Sequence, residues 1–502
     1  MRTALMAWCV LSAGGCAAGP NFTRPEPPPA ARYTAETLRG ENAPAETQVQ
    51  RIALGQNIEG AWWTLFRSDA IDQLVTLAVD HNRTLAASRS TLAQAQEIAR
   101  ARAGSQYPQV DLTAGAGRQQ YGKEFLGPIG IPPFTYFAVG PTVSYALDYT
   151  GGVARSVEQQ YALAEVERHL LEAAYLTVTG QAVMQSLTIA SVRAQIATVE
   201  TILAQDRDNL RLVQSAFDNG SVAREDVVSA QSQIAHDMTL LPPLRQELAR
   251  SRHALSVVVG RAPANGLPDD VDLAQITLPL RVPVSLPSEL AHRRPDILAA
   301  EARLHAATSA VGVAQSNLYP KIQLTASVGQ QSLKADQLFD RANNAWSILS
   351  GLTAPIFDGG TLRAEKRAAV DAMHASAATY EQTVLEAFAQ VADLLEGLDH
   401  DAEQLEAQDH AQQAAQSSLE LARTSYKEGN SGVLQVLDAE RSYQQARLGY
   451  VRAVAQRYLD TVQLFLALGG TSPSASLGAT SPQPAPLSHD VAQLRSEPPD
   501  VF

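Results

Sequence analysis

The chain writes nearly the same phrase twice, YPQVDLTAGAG from Tyr107 to Gly117 and YPKIQLTASVG from Tyr319 to Gly329. Other phrases echo in the same order. DYTGGVAR (148–155) is answered by FDGGTLR (357–363), and DNGSVAREDVVSAQ (218–231) by KEGNSGVLQVLDAE (427–440). Each echo falls about 210 residues later, a period too long for a solenoid unit. An ancient internal duplication accounts for it, so whatever one half builds, the other half builds again.

Both phrases alternate. Val110, Leu112, Ala114 and Ala116 fall on one face, with Gln109, Asp111 and Thr113 on the other. Ile322, Leu324, Ala326 and Val328 likewise oppose Lys321, Gln323, Thr325 and Ser327. Period two is a strand signal with one apolar and one polar face. A second alternating run follows in each half, over 137–149 and more loosely over 346–356, giving four strands. Alternation alone is equally compatible with two ordinary hairpins packed on a soluble core.

The remainder of each half has helical periodicity. From Gly152 to Phe217 only isolated glycines interrupt it, about 66 residues or ~100 Å of helix, and 360–426 matches it. Shorter helices are expected over 70–103 and 224–259 in the first half, and over 287–318 and 433–468 in the second. Two short helices equal one long one in length, which predicts antiparallel packing end to end beside it. Pro242-Pro243 must bend or break the helix that contains it. Ile189, Val192, Ile196, Val199, Leu203, Leu210, Val213 and Phe217 keep a coiled-coil spacing, with Asp206 as the one defect. A coiled-coil scaffold would explain these helices but not the four strands between them.

The 502 residues carry a net charge of −13 and no basic run, which argues against nucleic acid as a partner. No uninterrupted apolar stretch approaches the roughly 18 residues of a spanning helix, so a membrane role would have to use strands. The start, MRTALMAWCVLSAGGCAAGPNFTRP, has a minimal basic region at Arg2, an apolar core over 4–12 and small residues before Cys16, a secretory signal. It is similar to a bacterial lipoprotein signal in which the cysteine becomes the acylated N-terminus, although Ala13 stands where such signals usually carry Leu. Cys9 would leave with the leader, so the mature chain would hold one cysteine and no internal disulfide. Ala17, rather than Asp, implies sorting to the outer membrane. The expected organisation is a signal peptide (1–15), a lipidated N-terminal segment joining an equatorial region (16–68), a first repeat (69–265), a second repeat (266–469) and a Pro/Ser/Ala-rich tail expected to be disordered (470–502).

CAAGPNFTRP, WWTLFRSDAIDQLVTLAVDHNRTL, HRRPDILAAEARLHAA, AQSNLYPKIQLTASVG, PIFDGGTLR and LDAERSYQQARLGYVRAVAQRYLDTVQLFLALGG together resemble the outer membrane factor family. These are the TolC-like exit ducts, and the lipoprotein (NodT-type) branch of tripartite efflux systems is the nearest. The resemblance runs over about residues 16–469 and rests on the order and spacing of the motifs. It implies a mixed fold: a trimeric outer-membrane β-barrel, four strands per chain, continued by a long α-helical coiled-coil periplasmic barrel with an equatorial domain. Four strands cannot close a barrel alone, since the smallest membrane barrels have roughly 8. The implied partners are two further copies of the chain, a periplasmic adaptor (membrane fusion) protein, an inner-membrane pump of proton-driven type and outer-membrane lipid.

The resemblance also implies site residues. Cys16 would carry the lipid. The turns containing Gly220, Gly429 and Gly432, each free to adopt positive φ, would meet the adaptor. Leu434, Asp438 and Arg441, spaced to share one helix face, would constrict the closed pore at the periplasmic end. Ser229 stands in the first repeat where Asp438 stands in the second, so one repeat alone would supply the carboxylate ring. An exposed ion pair on an ordinary helix is the plainer reading of Asp438 and Arg441. No catalytic set, phosphate-binding loop or cofactor motif is legible. His400, Asp401, Glu403, Asp409 and His410 read as a solvated acidic stretch rather than a metal site. A passive conduit for small-molecule efflux is expected, with a protein-secretion duct or a coiled-coil scaffold or adhesin as the alternatives.

Overall fold

The computed structural model describes residues 18–35, 50–58, 60–122, 132–267 and 271–470. Cys16 and residues 471–502 lie outside them. A short strand, β1 (Arg51–Leu54), and a 3-10 turn, Trp62–Phe66, lead into α1 (Asp69–His81) and α2 (Arg83–Gly104). Then come β2 (Gln109–Gln119), β3 (Phe134–Leu147), α3 (Gly152–Asp218), α4 (Arg224–Met238) and α5 (Leu241–Val258). The second half opens with β4 (Arg281–Val284) and repeats the pattern: α6 (Pro295–Ser316), β5 (Lys321–Ser332), β6 (Asn344–Thr353), α7 (Thr361–Lys427) and α8 (Val433–Ala467).

Both long helices have 67 residues, which is ~100 Å at ~1.5 Å per residue. Each starts the same way. Gly151 (φ 75°) and Gly360 (φ 90°) turn the chain through a left-handed conformation. An aspartate then accepts from the free N–H groups of the first turn: Asp148 Oδ2 from Ala154 at 2.8 Å, and Asp358 from Gly360 and Leu362, each at 2.9 Å. A carboxylate there satisfies orphan donors and complements the helix dipole. The paired glycines of DYTGGVAR and FDGGTLR are therefore turn-and-cap devices.

The short helices depart from expectation. Residues 70–103 form two helices, broken at Asn82, whose backbone is extended (φ −63°, ψ 126°). Its buried side chain accepts from Leu85 N at 3.0 Å and donates to Val258 O at 2.8 Å, so the break is stapled to the far end of the same half. Residues 287–318 also divide: a single turn, Pro287–Leu290, precedes α6, because Pro295 holds Arg294 out of the helical region. The break between α4 and α5 falls at Thr239–Leu240, and Pro242 and Pro243 occupy the first turn of α5, where a missing N–H removes no bond.

The main core gathers around Trp62, Phe66, Ile71, Tyr458 and Phe465, all buried, where α1, the 3-10 turn and the end of α8 meet. Trp62 and Phe66 lie 5.9 and 6.2 Å from the Phe465 ring. Beside it β1 pairs in parallel with β4, from Arg51↔Arg281 to Leu54↔Val284, joining the N-terminal segment to the linker between repeats. One window of α3 is long and apolar enough to cross a membrane, yet more than half of it is buried against other helices, as in a core helix.

Strands β2-β3-β5-β6 form one antiparallel sheet in that order. Register carries the alternation across all four. Val110 faces Val143, Val143 faces Ala326, and Ala326 faces Ile348. The neighbouring row is polar throughout: Asp111, Thr142, Ser327 and Ser347, with the two serine hydroxyls 2.9 Å apart. Gly140 and Gly329 meet where the β3–β5 ladder is interrupted beside Pro141; a Cβ on Gly140 would lie 2.3 Å from Val328 O. Proline removes one ladder donor, and the glycines let the backbones close over the gap.

Candidate functional site

Two regions carry features that a soluble helical protein would not keep. The first is the sheet. Leu112, Trp346, Ile348 and Leu352 are each two-thirds or more exposed, and no helix among the described residues covers them. Exposed apolar area on this scale calls for a partner or a membrane. Among the described residues both outer strands, β2 and β6, also present unpaired edges, so the sheet is an arc awaiting neighbours.

The second region lies at the far end of the long helices. Each closes in the same hydrogen-bonded turn. Gly220 N donates to Phe217 O and Ser221 N to Ala216 O; Gly429 N donates to Tyr426 O and Asn430 N to Ser425 O. This six-to-one pattern needs a left-handed residue, and Gly220 (φ 73°) and Gly429 (φ 76°) supply it. Gly432 differs from expectation. It is the N-cap of α8 with φ −81° and ψ 160°, an extended conformation open to any residue. The reason is positional: the reversal is complete at Gly429, and the chain re-enters the helix through an ordinary extended cap.

At this tip the two halves share a small core. Val213 and Val227 of the first half pack with Val433 of the second, and Leu210, Val222 and Tyr426 surround them. Val433 thereby fixes the start of α8, and the next residue, Leu434, is half exposed. Asp438 and Arg441 are joined on the same helix, Arg441 Nη2 donating to Asp438 Oδ1 at 2.6 Å, with both side chains mostly in solvent. Leu434, Asp438 and Arg441 share one face, and with Ser229, Gln233 and His236 of α4 they line a groove of about 620 Å³. Ser229 and Asp438, the duplicated position, thus stand on opposite walls of one groove.

One buried polar cluster went unassigned in the sequence beyond a defect in the α3 seam. Asp206 is 3% exposed, and its Oδ1 accepts from Gln444 Nε2 of α8 at 3.0 Å. Asp237 of α4 faces it, also buried. Burial first, then the Asp237 carboxyl and Glu440, push the Asp206 carboxyl up to about 7. The carboxylate breaking an apolar repeat was the available signal, but the sequence did not show which helices it faced. Among the described residues no three His, Cys, Asp or Glu side chains are placed to hold a metal ion.

A sheet arc with one apolar and one polar face, continued by ~100 Å helices that end in a polar-lined tip, is one sector of a channel through an outer membrane. The chain belongs to the outer membrane efflux protein family, which it matches over residues 74–261 and 286–470. It is 30% identical over 415 residues to the pyoverdine export outer membrane protein OpmQ of Pseudomonas putida, covering 82% of this chain and 87% of that one. It is 28% identical over 469 residues to the toluene efflux pump outer membrane protein TtgF of the same species, covering 91% and 94%. Among solved structures it is similar to the outer-membrane channel OprN, with a TM-score of 0.82, 27% identity, and 91% and 99% coverage. The open-state MtrE channel of Neisseria gonorrhoeae shares the fold at a TM-score of 0.77. The architecture is that of the trimeric outer-membrane channels, with a mostly helical barrel and a few strands from each chain.

Proposed function

We propose that three copies of this chain form the exit duct of a tripartite pump, passing drugs or other small molecules from a periplasmic adaptor and a proton-driven inner-membrane pump to the exterior. The observation that carries this reading is the continuous apolar row Val110–Val143–Ala326–Ile348 on an uncovered four-stranded sheet. Three such sheets make a twelve-stranded barrel, with the apolar rows toward lipid and the Asp111–Thr142–Ser327–Ser347 row toward water. The relatives are named for efflux and export of small molecules, which favours that cargo over secreted protein. The chain acts as a conduit without catalysis of its own.

Within the duct, Cys16 is the lipid anchor, and the Gly220, Gly429 and Gly432 turns meet the adaptor. Leu434, Asp438 and Arg441 form the periplasmic gate. Threefold symmetry turns Leu434 into an apolar ring and Asp438 into three mutually repelling carboxylates, with Arg441 as the compensating partner of each. The test is co-expression with a periplasmic adaptor and an inner-membrane pump in a strain lacking its own ducts. Dye accumulation should fall and drug tolerance rise only when all three components are present. Unchanged accumulation with the complete set, in cells that contain heat-modifiable trimers, would refute the efflux assignment.

A further inference from the structure

The seam where α8 meets α3 and α4 holds more negative charge than the surrounding protein balances. Asp206 of α3, Asp237 of α4 and Glu440 of α8 are all buried, with exposures of 3%, 5% and 1%. One guanidinium serves them: Arg423 of α7 donates to Glu440 Oε2 at 2.7 Å. Their other hydrogen-bond partners among the described residues are neutral amides. Gln444 of α8 donates to Asp206 Oδ1 at 3.0 Å, Gln233 of α4 donates to Asp237 Oδ2 at 2.8 Å, and Asn209 of α3 reaches Glu440 Oε2 at 3.5 Å. Asp206 Oδ2 and Glu440 Oε1 are buried with no hydrogen-bond partner among the described residues. The Asp206 and Asp237 carboxyls are within hydrogen-bonding reach of each other. Two carboxylates cannot bond unless one carries a proton, and a buried unpaired charge is costly. No metal-binding group of three converges here among the described residues, so a proton is the ligand that the geometry accepts.

We propose that one proton shared between Asp206 and Asp237 holds the gate helix α8 against the seam of α3 and α4, making the closed duct the protonated one. Asp206 and Asp237 act as positioning residues. Gln444 lies in the turn that follows Arg441, so the contact bears on the same stretch of α8 as Asp438. Ionising the pair sets three carboxylates against one guanidinium at that seam, and withdrawal of α8, with entry of water, is the available relaxation. This inference rests on the proposal that α8 carries the gate.

The direction with pH follows from linkage. The latched carboxyl is raised from an ordinary 3.8 to about 7 by burial and by its acidic neighbours. A raised carboxyl favours the latched state fully below its ordinary value. That advantage is lost as pH rises toward the folded value, after which it is constant. Each protomer's proton should change the closed-to-open ratio by up to roughly tenfold per pH unit within that window.

The experiment records conductance of the purified full-length trimer in planar bilayers between about pH 5 and about pH 8, together with the infrared absorption of protonated carboxyls. Wild type should conduct more as pH rises, with a carboxyl band that bleaches over the same range. Asp206→Asn can donate to Asp237 at every pH and should remain closed throughout, without that band. Asp237→Asn, which places the permanent donor on the other side, should behave alike and covers the case in which Asp206→Asn fails to assemble. Asp401 and Asp460 form a second, half-buried acidic pair beside Arg457 higher on the helices, so the variants rather than pH alone decide. A conductance step retained in both asparagine variants, or a wild-type band that does not titrate, overturns the latch. If Leu434→Ala/Asp438→Ala stays closed while the band still titrates and is lost in Asp206→Asn, the gate assignment has failed and the proton site stands without its coupling.

Discussion

Ala223 and Gly432 hold the same backbone conformation, φ −82° and ψ 160° against φ −81° and ψ 160°, at the N-caps that open α4 and α8. The duplication thus reaches down to dihedral angles, and it separates glycines that geometry requires from one that it does not. Gly432→Ala should leave trimer melting unchanged. Gly220→Ala and Gly429→Ala place a Cβ in a left-handed turn and should each destabilise the tip by ~1–2 kcal/mol. Differential scanning calorimetry of the three trimers checks the contrast, and a Gly432→Ala loss as large as the other two would contradict it.

Because Gly432 tolerates a side chain, it also separates docking from folding. A bulky residue there, Gly432→Trp, should block efflux through the adaptor while trimer abundance stays at the wild-type level. Unimpaired drug export in that variant would move the adaptor contact away from this turn.

The apolar and polar rows of the sheet make opposite predictions for one substitution. Ile348→Lys puts a charge on the lipid side, worth ~2–4 kcal/mol near the bilayer midplane, and should cut heat-modifiable trimer in outer-membrane fractions severely. Ser347→Lys, one residue away, points toward the water-filled side and should assemble. Equal yields from the two would mean that the sheet does not face lipid as its register implies.

Duplication, strand faces and the two long helices were legible because each is written locally, in period two or in an unbroken 3.6 pattern. Asn82 shows what was not. The break it caps depends on a carbonyl of Val258, which no pattern near residue 82 announces. The pairing of β1 with β4 is likewise a contact between short segments far apart in sequence, with too few residues to show a period. At the tip, Leu434, Asp438 and Arg441 were found as one face by spacing. That Ser229 stands across the groove from Asp438, and that Asp206 reaches Gln444, required the fold.

The N-terminal strap offers a prediction with an acid limit. Ala18, the first described residue, donates its N–H to Thr150 O at 2.8 Å, just past the end of β3. Below it Arg155 binds Asn21, Phe22 stacks on His305 at 4.4 Å, and Arg24 pairs with Glu301 at 2.7 Å. Glu158 accepts from both His305 and Arg155. Burial pushes its carboxyl up, but these hydrogen bonds and charges more than offset that and leave it lowered from 4.5. A depressed carboxyl contributes stability above its ordinary value, and this is lost as pH falls from about 4.5 through the folded value. Proteolysis at residues 18–26 should therefore accelerate below that range, and Glu158→Gln should accelerate it at neutral pH. Cys16→Ser should abolish palmitate labelling while some trimer still reaches the membrane, because the barrel is itself an anchor. Continued labelling of the mutant would remove Cys16 as the lipid site.

The proposed gate is the sharpest case, since the same residues also have a trivial reading. Asp438 and Arg441 are mostly exposed, and in isolation such a pair contributes only ~0.3–0.5 kcal/mol. Their position changes the weight. Val433 is locked into the tip core by Val213 and Val227, so the first turns of α8 are held firmly while Leu434 projects half exposed from them. Three Leu434 side chains brought together would exclude water, and three Asp438 carboxylates one turn further on would repel unless each keeps its Arg441. Closure then depends on a few contacts around the threefold axis, and an adaptor could displace them without unfolding a helix. Replacing Leu434 and Asp438 together with Ala removes the apolar ring and leaves Arg441 without its partner. Neither change touches the tip core, so trimers should assemble normally. Conductance of the double mutant in planar bilayers should exceed wild type by at least roughly tenfold, the equivalent of about 1.4 kcal/mol of closure free energy. Each single substitution should give a smaller rise. A double mutant as tightly closed as wild type, with its trimer intact, would place the constriction elsewhere along α8.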